Sequence, residues 1–142
     1  MIDQLYQDAI LKHAKAAIGQ GKLDAPTGSA MVDNPLCGDR VTVDITLDGD
    51  RIAAVGHHVR GCLLCQASAS ILAKNLPGRS VEDLQAVAAA VDAMVRDGAE
   101  TPADWPDLAA FEPVHGVRSR HECVLLPFEA ARKAVEKGLV SA

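Results

Sequence analysis

The sequence predicts an α+β fold, a small antiparallel sheet packed on one side by several helices. Three observations predict it. Val41, Val43, Ile45 and Leu47 alternate with Thr42, Asp44 and Thr46, the period-two signature of a half-buried strand. A second extended run, Arg51 to Val59, follows Asp48-Gly49 at hairpin spacing, and an Asp-Gly pair adopts the positive φ angles of a tight turn. From Gly61 onward the chain is rich in Ala, Leu and Val with helical punctuation.

The elements follow in order. Leu5, Ala9, Leu11, Lys12 and Ala16 recur at a helical period around Ile10, and Gly19, Gly21 and Pro26 end the run, so an amphipathic helix opens the chain. Residues 24–36 are rich in Pro, Gly, Ser and Asp without a period and read as a loop that delivers Cys37 to the first strand. After the hairpin, CLLCQASASILAKNL lacks breakers and reads as a helix ending at Pro77-Gly78. Ser80 to Asp83 has the form of a capping box and leads into a helix reaching about Arg96. Residues 97–119, around Trp105, read as a loop with one short helical turn. The final helix has Pro127 near its start, a Glu129–Lys133 pair four apart and Gly138 as its C-cap.

At 142 residues, about half of them apolar, the chain fits one domain spanning 1–142 with a modest core. Its net charge is −5 and the 14 basic residues are scattered, which argues against nucleic acid as a partner. Charge interrupts the apolar positions of the first 23 residues, so neither a signal peptide nor a membrane span is expected there. The expected location is the cytoplasm, where four cysteines serve as thiols, ligands or nucleophiles rather than as a disulfide framework.

Those cysteines carry the chemistry. Cys37 lies in Asn34-Pro35-Leu36-Cys37-Gly38-Asp39, a thiol and a carboxylate two residues apart at the junction of loop and strand. Cys62 and Cys123 fall just before or at the start of predicted helices, where unpaired amides and the positive dipole end favour a thiolate, so both are expected to be more acidic than an ordinary cysteine. Three thiolates gathered from separate segments repel one another unless a cation neutralises them. With Asp39 as a fourth ligand, such a site suits zinc, or an iron–sulfur cluster with one weak oxygen ligand.

Competing assignments surround this set. Cysteine is among the most buried residue types, and inert packing is an alternative for each of the four. Cys62-Leu63-Leu64-Cys65 has the form of a redox or zinc-knuckle motif, yet a structural zinc site needs a second such pair and the chain has none. His57 and His58 point to opposite faces of their strand, so at most one faces any site, and neither is assigned. His121 and Glu122 stand close enough to Cys123 to compete as ligands, while Arg118 and Arg120 are placed to screen thiolate charge. His13 reads as a helix-surface histidine.

Taken together, Asn-Pro-Leu-Cys37-Gly-Asp39, the hairpin, Gly61-Cys62 followed by Ala67-Ser68-Ala69-Ser70, and Cys123 opening the last helix resemble the NifU-like scaffold family of iron–sulfur cluster assembly. The likeness covers nearly the whole chain, including the first helix and Gly78-Arg79-Ser80-Val81-Glu82. Within the family the chain is most similar to the SufU branch, through the long stretch between Cys62 and Cys123 and through Arg120, three residues before the last cysteine. The resemblance implies a NifU-like or SufE-like α+β fold, and Cys37, Asp39, Cys62 and Cys123 as ligands of zinc, or of iron or a [2Fe–2S] cluster. It also implies a SufS-like cysteine desulfurase as sulfur donor and apo iron–sulfur proteins or downstream carriers as recipients. The IscU type has histidine directly before its last cysteine, where this chain has Glu122, a difference that favours zinc.

Two mechanisms follow from the likeness: sulfur acceptance on Cys37 from a zinc-protected thiol set, and scaffolding of a nascent cluster. Both describe a sulfur-transfer or scaffold protein rather than a conventional enzyme. Outside the family, the alternatives are a thiol redox protein using Cys62 and Cys65, and a domain whose zinc is purely structural. Cys65 is expected to be a packed side chain.

Overall fold

A computed structural model of the chain describes residues 4–34 and 38–141. Among the described residues the elements run α1 (Gln4–Ala16), β1 (Gly28–Asn34), β2 (Asp39–Asp48), β3 (Arg51–Arg60), α2 (Leu63–Asn75) and α3 (Val81–Asp97). A 3-10 segment (Pro106–Gly116), a 3-10 turn (Arg118–Arg120) and α4 (His121–Ser141) complete the order. The three strands form one antiparallel sheet in the order β1-β2-β3. The α+β expectation is met, with the helices on one face of the sheet.

Alternation decides which face. Val41, Val43 and Ile45 of β2 are fully buried and stand opposite Val32, Ala30 and Gly28 of β1. Their neighbours Arg40, Thr42 and Asp44 point the other way, as the strand's two-residue period requires. Helix α4 packs across β1 and β2, α2 lies between α1 and α4 and touches β3, and α3 closes the far side of α4. Phe111 and Phe128 are buried here, each burial contributing about 1.5–3 kcal/mol. Trp105 is also buried, and Arg79 lies over its ring at 4.9 Å from the centroid.

Helix and sheet approach closely where the sequence has no side chain. A Cβ on Gly28 would stand 1.9 Å from the Ala134 carbonyl oxygen, so β1 can meet α4 only with glycine there. The hairpin turn places Gly49 at φ 63°, the positive value a tight turn demands, between the paired residues Asp48 and Arg51. Ser80 and Asp83 form the expected capping box: Ser80 Oγ accepts from Asp83 N at 3.0 Å and Asp83 Oδ2 from Ser80 N at 3.1 Å. Gly98, at φ 75°, closes α3.

The structure corrects four expectations. Residues 28–34, expected within a loop, form strand β1, whose Ala30 and Val32 face the core while Ser29, Met31 and Asp33 face out. Residues 97–119, expected as a loop with one turn, contain the 3-10 segment, which buries Leu108, Phe111 and Val114 beneath α3. Helix α4 begins at His121, six residues before Pro127, and passes through Gly138 instead of ending there. Gly138 lies inside because a Cβ would stand 3.1 Å from Thr27 Cγ2. His13 is half-buried and stands 3.9 Å from Asp107, so it is not a surface histidine.

Candidate metal centre

Three elements converge at one end of the sheet. Asp39 opens β2, Cys62 is the residue capping the start of α2, and Cys123 lies in the first turn of α4. One ligand atom from each lies within 4.8 Å of the other two. Cys37 falls outside the described residues, so its distance to this group is not part of the geometry.

Each position has a local cause. Asp39 is buried, yet its carboxylate is satisfied: Oδ1 accepts from Cys62 N at 3.3 Å and Oδ2 from the Cys62 thiol at 3.6 Å. Gly61 makes room for it, since a Cβ there would meet Asp39 Oδ1 at 2.8 Å. The Cys62 side chain does not cap its own helix and is directed to Asp39 instead. Cys123 is wholly buried, and Pro127, four residues on, lacks the N–H that would otherwise bond to the Cys123 carbonyl.

The electrostatics reverse one expectation. Cys123 is not an acidified helix-start cysteine; burial, the hydrogen bond and charge of Cys62 and the hydrogen bond with Asp39 push its thiol far above the ordinary cysteine range. Desolvation and like charge outweigh the helix dipole. Only Arg120 acts in the opposite direction: its guanidinium donates to the Cys123 sulfur and also faces Cys62 and Asp39, and these contacts raise its own pKa. One buried and one half-buried sulfur with a buried carboxylate in one small volume are a donor set that a divalent cation would relieve of mutual repulsion, and thiolate plus carboxylate is a donor chemistry that zinc accepts.

The other candidates stand elsewhere. His121 Nε2 is 3.0 Å from the His115 carbonyl, to which it donates, and its ring stacks on that of His115. Glu122 forms an ion pair with Arg96. His57 is held by the Ile18 carbonyl at 2.7 Å, and His58 faces outward. Cys65 is fully buried in the core, as expected. None of Cys62, Cys65 and Cys123 is in a disulfide. Arg120 was legible as a screening charge from its spacing, whereas the role of Gly61 as the floor beneath Asp39 had no signal beyond its place before Cys62.

With this geometry, comparison with known proteins is decisive: residues 5–137 match the NifU-like N-terminal domain. The chain belongs to the NifU-like N-terminal domain family. Among the relatives of this NifU-like chain is the zinc-dependent sulfurtransferase SufU of Bacillus subtilis, 30% identical over 96% of this chain and 92% of that protein. The iron–sulfur cluster assembly scaffold protein IscU of Streptococcus pyogenes is 29% identical over 96% of this chain and 86% of its own. Among solved structures, a NifU-like protein (N-terminal) from Brucella abortus superposes with a TM-score of 0.91 at 31% identity, covering 96% of both chains. A putative scaffold protein for the SUF system from Fervidobacterium islandicum gives 0.84 at 25% identity, over 90% of this chain and 94% of that one. Among the described residues of the NifU-like chain, no helix is long and apolar enough to cross a membrane.

Proposed function

We propose that this chain, as a single domain over residues 1–142, is a zinc-binding sulfur acceptor of iron–sulfur cluster assembly, with Cys37, Asp39, Cys62 and Cys123 as its ligands. The observation that carries the reading is the meeting of Asp39, Cys62 and Cys123 within 4.8 Å beside Arg120. The relative named as a zinc-dependent sulfurtransferase supports it. Bound zinc supplies the positive charge that keeps these sulfurs as thiolates, and it brings no redox chemistry of its own.

The protein's residues divide the work. Asp39 orients the Cys62 thiol, and Arg120 steadies the Cys123 sulfur when it is ionised. Cys37 is the acceptor: its thiolate attacks the outer sulfur of a persulfide presented by a SufS-like cysteine desulfurase. The partner's S–S bond breaks, the partner's cysteine leaves as thiolate, and Cys37 retains the transferred sulfur as a persulfide. Apo iron–sulfur proteins or downstream carriers then receive it.

A second reading has the same four side chains hold a [2Fe–2S] cluster as cargo, with Asp39 the harder and weaker ligand for iron. The relatives named as scaffolds support it, whereas the engagement of His121 with His115 and of Glu122 with Arg96 favours the zinc reading. A Cys62–Cys65 redox pair is disfavoured, because Cys65 is fully buried and the Cys62 thiol is directed at Asp39.

Metal and sulfide analysis separates the readings. Protein purified without added metal is expected to contain about one zinc per chain and no acid-labile sulfide. Metal content is expected to fall in Cys37→Ser and to stay unchanged in Cys65→Ser. Iron with sulfide would establish the cargo reading, and metal-free protein would sink both. A zinc content and an activity both indifferent to Cys37→Ser would leave a structural zinc.

A further inference from the structure

Glu122 immediately precedes Cys123 in the first turn of α4, so a second carboxylate is attached one residue from a sulfur of the centre. It lies between two grooves. On one side it borders a groove with Asp92 and Arg96 of α3. On the other it borders a groove with Asn34, the residue paired with Asp39 across the strands.

The side chain is committed to the α3 side. Arg96 Nη2 bonds Glu122 Oε1, while Arg96 Nε bonds Asp92 Oδ1 at 2.6 Å, one helical turn earlier on α3. The guanidinium is thereby anchored on its own helix and presents its remaining edge to α4, a fork that a point charge would not reproduce. Two arginines thus have different partners: Arg120 interacts with the sulfurs, and Arg96 holds the carboxylate of the residue next to Cys123.

We propose that the Asp92–Arg96–Glu122 chain of ion pairs sets the donor set of the metal centre by holding the Glu122 carboxylate off the ion. The proposal rests on Asp39, Cys62 and Cys123 being that centre. Its chemical reason is coordination number: zinc bound by four fixed protein ligands is closed and inert, whereas a site with an exchangeable position can take an incoming sulfur donor. A released Glu122 would compete for that position with Cys37 or with a partner's thiol. Arg96 is therefore a positioning residue, acting through Glu122.

The test uses the full chain loaded with Co2+ or Zn2+ alone, comparing wild type with Arg96→Gln, Glu122→Gln, the double variant and Asp92→Asn. Glu122→Gln is expected to keep the wild-type Co2+ absorption spectrum. Arg96→Gln is expected to shift the d–d bands and to slow zinc release to a chelator, on the order of tenfold. Both changes should disappear in the double variant, and Asp92→Asn should show them more weakly. An Arg96→Gln protein that binds Co2+ with the wild-type spectrum overturns the proposal, as does a shift that persists in the double variant. If Arg96→Gln does not fold, as judged by its thermal melt, Asp92→Asn decides by the same spectrum. Wild type that binds neither ion, or binds both unchanged after Cys62→Ser and Cys123→Ser, instead overturns the metal-centre reading itself.

Discussion

Cys123 holds its proton tightly in the metal-free chain because burial and its neighbours Cys62 and Asp39 all disfavour a thiolate. In metal-free protein, brief treatment with iodoacetamide should therefore label Cys62, which is half-buried, well before Cys123 or Cys65, with peptide mass spectrometry as the measure. Early labelling of Cys123 would contradict the burial that raises its pKa. Asp39 acts differently. In the proposed centre it is the oxygen donor and so the weak ligand, and Asp39→Ala protein charged with iron and sulfide should then lose its visible absorption to an acceptor more slowly than wild type. Replacing Cys65 with Ser places a hydroxyl in the core and should lower stability by about 1–2 kcal/mol in urea melts while leaving metal content unchanged. At this scale the meeting of Asp39, Cys62 and Cys123 was legible from the motif order and the family resemblance, since spacing alone left inert packing open for each cysteine. Whether a helix start acidifies a thiol was not legible, since desolvation depends on what packs over it and no local pattern encodes that.

The punctuation of α3 was read well, whereas elements whose bounds depend on their neighbours were not. The α3 capping box stood in the sequence at Ser80 and Asp83 and forms in the structure. Ser80→Ala removes it and should cost about 1 kcal/mol, read as a drop of about 4 °C in melting temperature. Strand β1 was hidden because only Ala30 and Val32 mark its buried face, and glycine at its first position reads as loop. That glycine is where α4 comes closest. Gly28→Ala would set a Cβ against the Ala134 carbonyl and should destabilise by at least about 1–3 kcal/mol, a larger loss than overexposed loop glycines give. Pro127 and Gly138 misled in the same way: each is a local stop signal, but the sheet beneath and Thr27 beside them make a continuous α4 the better packed choice. Tertiary burial outweighed punctuation worth about 1–3 kcal/mol.

For the molecule as a whole, acid should unfold it through its histidines before its carboxylates. His57 is buried with its Nε2–H on the Ile18 carbonyl and its Nδ1 without a partner among the described residues, and burial holds its pKa below the ordinary histidine value. His13 is lowered too, by burial against the pull of Asp107. Groups depressed in the fold bind fewer protons there than in the unfolded chain, so this stability is present above the unfolded pKa of about 6.5 and lost as pH falls below it. The urea midpoint should therefore drop between pH 7.5 and 5.5, and His57→Gln, whose amide can still donate to Ile18, should reduce that slope. Asp107 adds a later loss: burial opposes its charge, but hydrogen bonds from Asn75 and Lys74 and the charge of Lys74 hold its pKa below the usual carboxylate range, so its share fades only at lower pH.

The placement of the three donors on β2, α2 and α4 also fixes an order of events. Asp39 and Cys62 are 23 residues apart and joined through one hairpin, so they meet early and locally, whereas Cys123 arrives only when α4 has docked across the sheet. A chain whose α4 has not docked therefore lacks the third of these donors. Under the proposed metal-binding reading, the complete donor set exists only once the fold is complete, so bound metal would mark the finished molecule and leave immature copies out of the traffic.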